Sequence, residues 1–113
     1  MPYPRQGEVY FWPAIPANHP MGSKTRRWVV VSCDRYNQHS DSVLACPVTS
    51  HPPDPLDVAV SRTPHNGLDH DSAMVCDLVS PILQDELTSP VGRVSFDIVE
   101  QVLDRLRMIV YGK

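Results

Sequence analysis

Two arginines, two hydroxyls and one carboxylate sit at or near the ends of apolar runs, and as a set they suit the chemistry of a phosphate. Arg26 and Arg27 directly precede Trp28-Val29-Val30-Val31-Ser32, a strand-favouring run, so positive charge is delivered at the mouth of a strand. Thr49 and Ser50 end the next apolar run, Ser42-Val43-Leu44-Ala45-Cys46-Pro47-Val48-Thr49-Ser50. A guanidinium can stabilise charge developing on phosphate oxygens, and a hydroxyl can donate to one of them. Consecutive strand residues point to opposite faces, so at most one of the two arginines is expected in a given pocket. Asp77 interrupts the run Ser72-Ala73-Met74-Val75-Cys76-Asp77-Leu78-Val79, expected to be one buried strand. A carboxylate there costs free energy unless it is paired or opens into a cleft. Bland readings stand beside each of these: solvated arginines, turn-forming hydroxyls and a structurally paired aspartate.

All five histidines fall in expected loops. His19 and Lys24 belong to residues 13–24, a proline-rich stretch without periodicity that leads directly to Arg26. Loops of that length in a small domain usually carry function or move. His65, Asp69, His70 and Asp71 form a patch that could hold a metal in principle, but on a turn and with no second cluster to support it. The three cysteines include no Cys-x-x-Cys pair and read as reduced thiols, Cys46 and Cys76 within apolar runs and Cys33 at the end of one. No phosphate-binding loop, nucleophile elbow, dinucleotide fingerprint or zinc-protease helix is present.

The elements that must position these groups are short. A chain of 113 residues is expected to form one domain over 1–113. Its twelve prolines, about twice the ~5% average usage, all precede position 91. That distribution describes short strands joined by stiff loops, followed by one segment free to be helical. Strands are expected over residues 6–12, 28–32, 43–48, 56–61 and 72–79, with a brief one at 92–94 and polar turns at 34–41 and 63–67. Residues 81–87 read as a helical turn or loop. After Ser95, a suitable N-cap, Ile98, Val99, Val102, Leu103, Leu106, Ile109 and Val110 share one helical face. The fold class expected is mainly β with a C-terminal helix: a bent antiparallel sheet or partly open barrel that the helix covers.

The net charge of −3 argues against indiscriminate nucleic-acid binding. Its distribution is less restrictive, because residues 1–36 carry five basic and two acidic side chains, while 37–92 carry Arg62 against eight acidic ones. A basic patch can therefore exist within an acidic total. No apolar run has the ~18 residues of a membrane span, and the N-terminus lacks a signal-peptide core, so a cytoplasmic protein is expected.

Taken in order, several motifs resemble the MazF/PemK family of toxin endoribonucleases. Gly7-Glu8-Val9-Tyr10 matches the family's start, and Arg26 to Ser32 matches its Arg-Pro-Val-Leu-Val-Val-Ser strand. Asp34, Tyr36 and Asn37 follow as in the family, and Pro47-Val48-Thr49-Ser50 matches its Pro-Val/Ile-Thr-Ser signature. Asp71-Ser72 and Val75-Cys76-Asp77 match the Asp-Ser … Cys-Asp-Gln segment. The resemblance implies an SH3-like barrel, usually a homodimer, that cleaves single-stranded RNA without a metal or other cofactor and is inhibited by a cognate antitoxin. It implies Arg26 and Thr49 as the main catalytic pair, with Asp77 the leading base and His19 the alternative. Lys24, Arg27 and Ser50, with His19, would contact substrate. The chain departs from the family in having Arg27 where proline is usual, and Leu78-Val79-Ser80 where Gln-x-Arg is usual. Two other classes fit the same scaffold: a gyrase-poisoning toxin of the CcdB family, acting through its C-terminal helix, and a binding module that holds RNA or antitoxin without turnover.

Overall fold

Trp28 and Val30 face one way along the chain, Val29 and Val31 the other, and all four are buried. A strand with that pattern must be covered on both faces. In the computed structural model, which describes residues 2–22 and 26–112, it is β2 (Arg27–Val30) of a seven-stranded antiparallel sheet. The other strands are β1 (Glu8–Phe11), β3 (Ser42–Thr49), β4 (Val58–Val60), β5 (Ser72–Met74), β6 (Ser80–Leu83) and β7 (Gly92–Arg93). Their order is β4-β5-β3-β2-β1-β7, with β6 also paired to β3.

The eight-residue strand β3 causes the curl. One of its edges runs along β2, with Pro47 opposite Trp28. The other edge is shared: Ser42 to Ala45 pair with β6, and Val48 and Thr49 with β5. The sheet therefore bends away at the end of β3 into a half-barrel, which puts Thr49 at the bend.

Each face has its own core. Val9, Val29, Val31, Cys46, Met74 and Cys76 lie beneath α2 (Phe96–Tyr111), which contributes Val99 and Val102. Trp12, Ile15, Trp28, Val43, Ile82 and Leu87 fill the opposite side, where the stretch after β1 folds back. The helix covers the sheet as expected, but only in part. Ile98, Leu103 and Leu106 pack against the core, whereas Ile109 and Val110, on the same predicted face, are 42% and 71% exposed because the last turn extends past the sheet. Ser95 occupies the N-cap position without a side-chain cap bond, and Gly112, at φ 74°, closes the helix in the left-handed conformation.

Three expected elements differ, one of them residues 81–87: 81–83 belong to β6, which leaves only 84–86 as a helical turn. The polar stretch after β2 is a short helix, α1 (Asp34–His39), not a turn. It is held by a buried polar network that no apolar periodicity announces. Asn37 Nδ2 donates to the carbonyls of Pro4 (3.0 Å) and Ser32 (3.1 Å), and its Oδ1 accepts from Ser32 Oγ. Gln84 Nε2 donates to the carbonyls of Asn37, Ser40 and Ser42 at 2.7, 2.9 and 3.1 Å. Asn37→Ala should lower stability by about 2–3 kcal/mol, because it strands buried acceptors and a donor. Urea unfolding should show the loss as a lower midpoint at unchanged slope; a loss under about 1 kcal/mol would mean that water replaces the amide.

The run 72–79 is not one strand either. Strand β5 ends at Met74, residues 76–78 form a 3-10 turn, and the chain resumes as β6 at Ser80. Leu78 and Val79 N–H donate to the carbonyls of Val75 and Cys76, both at 3.3 Å, which closes the turn. Asp77 projects to solvent from it, so the desolvation cost that marked this carboxylate does not arise.

Candidate functional site

Beside the bend, the start of β2, the end of β3 and the loop before β5 enclose a polar cleft of about 250 Å³. Arg26, Arg27, Val48, Thr49, Ser50, Leu68, Asp69, His70 and Ser72 line it. Four of the predicted site residues therefore meet: Arg26, Arg27, Thr49 and Ser50. Both arginines reach the same cleft, contrary to the expectation that alternation admits one. Strand β2 begins at Arg27, so Arg26 lies outside it and period-two geometry does not apply to the pair.

The two arginines differ in freedom. Arg27 Nε donates to the Gly67 carbonyl at 2.6 Å, its guanidinium stands 5.0 Å from the centre of the Phe11 ring, and Nη1 lies 3.6 Å from Asp69 Oδ1. Three contacts fix it as part of the wall. Arg26 has one hydrogen bond among the described residues, Nε to the Met21 carbonyl at 3.3 Å. Its charge remains available to a ligand.

Thr49 is buried in β3 opposite Ala73, and its Oγ1 accepts the His51 N–H at 3.3 Å. The hydroxyl proton can still be donated outward. Thr49 also borders a second hollow, with Met21, His51, Asp54 and Val75, while Ser50 and Ser72 border a third with His51 and Pro52. The cleft is thus the middle of a longer furrow that follows the end of β3.

Asp77 does not border the cleft; the 3-10 turn carries it away. His19 is used locally. Its Nδ1 accepts the Met21 N–H at 3.0 Å, which leaves the neutral ring's proton on Nε2, 3.0 Å from Ser80 Oγ. The ring also stands edge-on to Trp12 and Trp28, with centroids 5.8 and 5.4 Å away. His19 therefore anchors the loop against the sheet. Lys24 lies outside the described residues. Among the described residues, no three His, Cys, Asp or Glu side chains converge as metal ligands, and the 65–71 patch is divided, with Asp71 accepting the Arg62 N–H at 2.7 Å.

Asp69 and His70 are the cleft residues that sequence reasoning did not connect to the arginines. The His/Asp composition of their loop was the available signal, but it pointed to a metal. The two buried thiols take no part: burial holds Cys46 far above its ordinary pKa and pushes Cys76 up to about 11, with Asp57 adding to the latter and Arg105 partly offsetting it. Both stay protonated at neutral pH.

The sequence matches the PemK-like, MazF-like toxins of type II toxin–antitoxin systems over residues 5–110. The chain belongs to that family. Its fold is similar to that of MazF from Deinococcus radiodurans, with TM-score 0.79 and 19% identity over 98% of this chain and 99% of that one. It is similar also to an endoribonuclease solved with its cognate antitoxin from a Mycobacterial species (TM-score 0.72, 23% identity, 98% and 96% of the two chains). A third similar structure is the Mycobacterium tuberculosis toxin MazF-mt6 (TM-score 0.72, 16% identity, 92% and 96%). At these identities the structural likeness speaks for the fold. Among curated proteins, none matches the chain by sequence. Among the described residues, no helix is long and apolar enough to cross a membrane.

Proposed function

We propose that this toxin is an endoribonuclease that cleaves single-stranded RNA, and that the cleft beside the bend is where it does so. The observation that supports this most is the meeting of Arg26, Arg27, Thr49 and Ser50 on one polar cleft from two separate stretches of chain. In the reaction, a ribose 2′-oxygen bonds to the adjacent phosphorus and the P–O5′ bond breaks, giving a 2′,3′-cyclic phosphate and a 5′-hydroxyl. Arg26 would neutralise the phosphorane oxygens, and Thr49 Oγ1 would donate to one of them. Arg27 and Ser50 would hold neighbouring phosphates, and the furrow on either side of Thr49 suits an extended strand more than a duplex. No metal is required by this scheme. In this reading the toxin acts in the cytoplasm, where its RNA and its inhibitor meet, as a homodimer whose clefts a cognate antitoxin covers.

The test is digestion of a randomised single-stranded RNA pool by purified protein, with and without EDTA. Fragments ending in 2′,3′-cyclic phosphate and beginning with 5′-hydroxyl are expected in equal amounts under both conditions, and duplex RNA should survive. Absence of cleavage, or cleavage abolished by EDTA, would sink the proposal.

A further inference from the structure

The scheme above lacks a group to accept the 2′-hydroxyl proton, since neither Asp77 nor His19 lines the cleft. Among the described lining residues, the titratable side chains are Arg26, Arg27, Asp69 and His70. Arginine does not give up its proton in proteins. Asp69 is engaged on two sides, with Oδ1 3.6 Å from Arg27 Nη1 and 2.7 Å from His70 Nδ1. We infer that His70 is the catalytic base of this cleft and that Asp69 positions it; the assignment rests on the ribonucleolytic reading.

Three observations carry it. A carboxylate against Nδ1 favours the proton on that nitrogen, which leaves the Nε2 lone pair outward. Among the described residues, Nε2 has no hydrogen-bond partner, and the side chain is 55% exposed, so substrate can reach it. The loop is also pinned on both sides of the imidazole: before it the Gly67 carbonyl accepts from Arg27 Nε at 2.6 Å, and after it Ser72 Oγ donates to the His70 carbonyl at 3.0 Å and Asp71 accepts the Arg62 N–H at 2.7 Å. Nε2 would take the 2′-hydroxyl proton as the 2′-O–P bond forms, water would protonate the departing O5′, and the imidazolium would then release its proton to solvent. No electron transfer is involved and the protons balance.

The experiment measures kcat and KM for a cleavable single-stranded oligonucleotide. His70→Gln and His70→Ala should lower kcat by roughly 10²-fold or more, and added imidazole should restore part of the His70→Ala loss. Asp69→Asn should reduce kcat about 10-fold in the native background and have no further effect in His70→Ala, as expected when one residue acts through the other. Wild-type cleavage with His70→Gln within a few-fold of it would overturn the assignment and leave the ribonucleolytic reading intact. Failure of imidazole rescue in a folded His70→Ala would also overturn it. A loss from Asp69→Asn that persists in His70→Ala would mean that Asp69 serves Arg27, and would overturn its positioning role. Inactive wild-type protein would remove both readings together.

Discussion

Arg26→Ala is expected to lower RNA cleavage by roughly 10²–10³-fold, the usual effect of deleting a group that stabilises transition-state charge. The melting temperature should stay close to wild type, because Arg26 makes a single hydrogen bond, at 3.3 Å, among the described residues. Thr49→Val should do comparable damage, since it removes the hydroxyl and keeps the branched shape, while Thr49→Ser should retain most of the activity. Arg27→Ala should behave differently. Its guanidinium is held by the Gly67 carbonyl, Asp69 and the Phe11 ring, so the loss should appear first in stability and KM. Kinetics and thermal melts on the same preparations would separate the two. Full activity in Arg26→Ala with none in a folded Arg27→Ala would reverse their roles.

The second large effect is on folding. A Cβ at Gly92 would stand 2.3 Å from the Asn66 carbonyl carbon and 2.4 Å from the Gly67 nitrogen, main-chain atoms that cannot swing aside. Gly67 itself has φ 70°, and a Cβ there would meet the Val91 oxygen at 2.6 Å. The turn before Leu68 thus packs backbone to backbone against β7, joined by the Arg93 N–H to the His65 carbonyl at 2.8 Å. Gly92→Ala should cost about 3 kcal/mol or more, on the order of 10 °C or more in Tm. Gly22→Ala is the control: its φ is also positive, at 74°, but a Cβ there meets nothing within 4 Å, so only about 1 kcal/mol of backbone strain is expected. Equal melting temperatures for the two variants would show that the turn can withdraw from β7 without penalty.

What could be read from the sequence was what repeats along it. The unbroken apolar run Trp28-Val29-Val30-Val31 announced a buried strand, and the 3.6-residue spacing from Ile98 to Leu106 announced the covering helix. Helix α1 was not legible, because its single buried side chain is the polar Asn37 and its stability comes from partners at Pro4, Ser32 and Gln84. The 3-10 turn around Asp77 was hidden for the opposite reason: an apolar run continues through it, and composition cannot distinguish one strand from two joined by a turn. Within the cleft, the arginines and hydroxyls were visible at the ends of strands. Their meeting with Asp69 and His70 depends on a carbonyl forty positions from Arg27 in the chain, and no local pattern encodes that distance.

The contact between Gly67 and Gly92 has a consequence for the order in which the protein becomes competent. All the side chains of the cleft have been synthesised by Ser72, yet the turn that fixes Arg27 and leads into Asp69 leans on a strand that comes later. Strand β7 is in turn tied to β1, through the Val91 N–H to the Val9 carbonyl at 2.7 Å and the Val94 N–H to the Gly7 carbonyl at 2.9 Å. A nascent chain that stops short of Gly92 holds every group the chemistry needs and lacks the support that arranges them. On the ribonucleolytic reading proposed above, such late assembly of the cleft would spare the encoding message until β7 has been made.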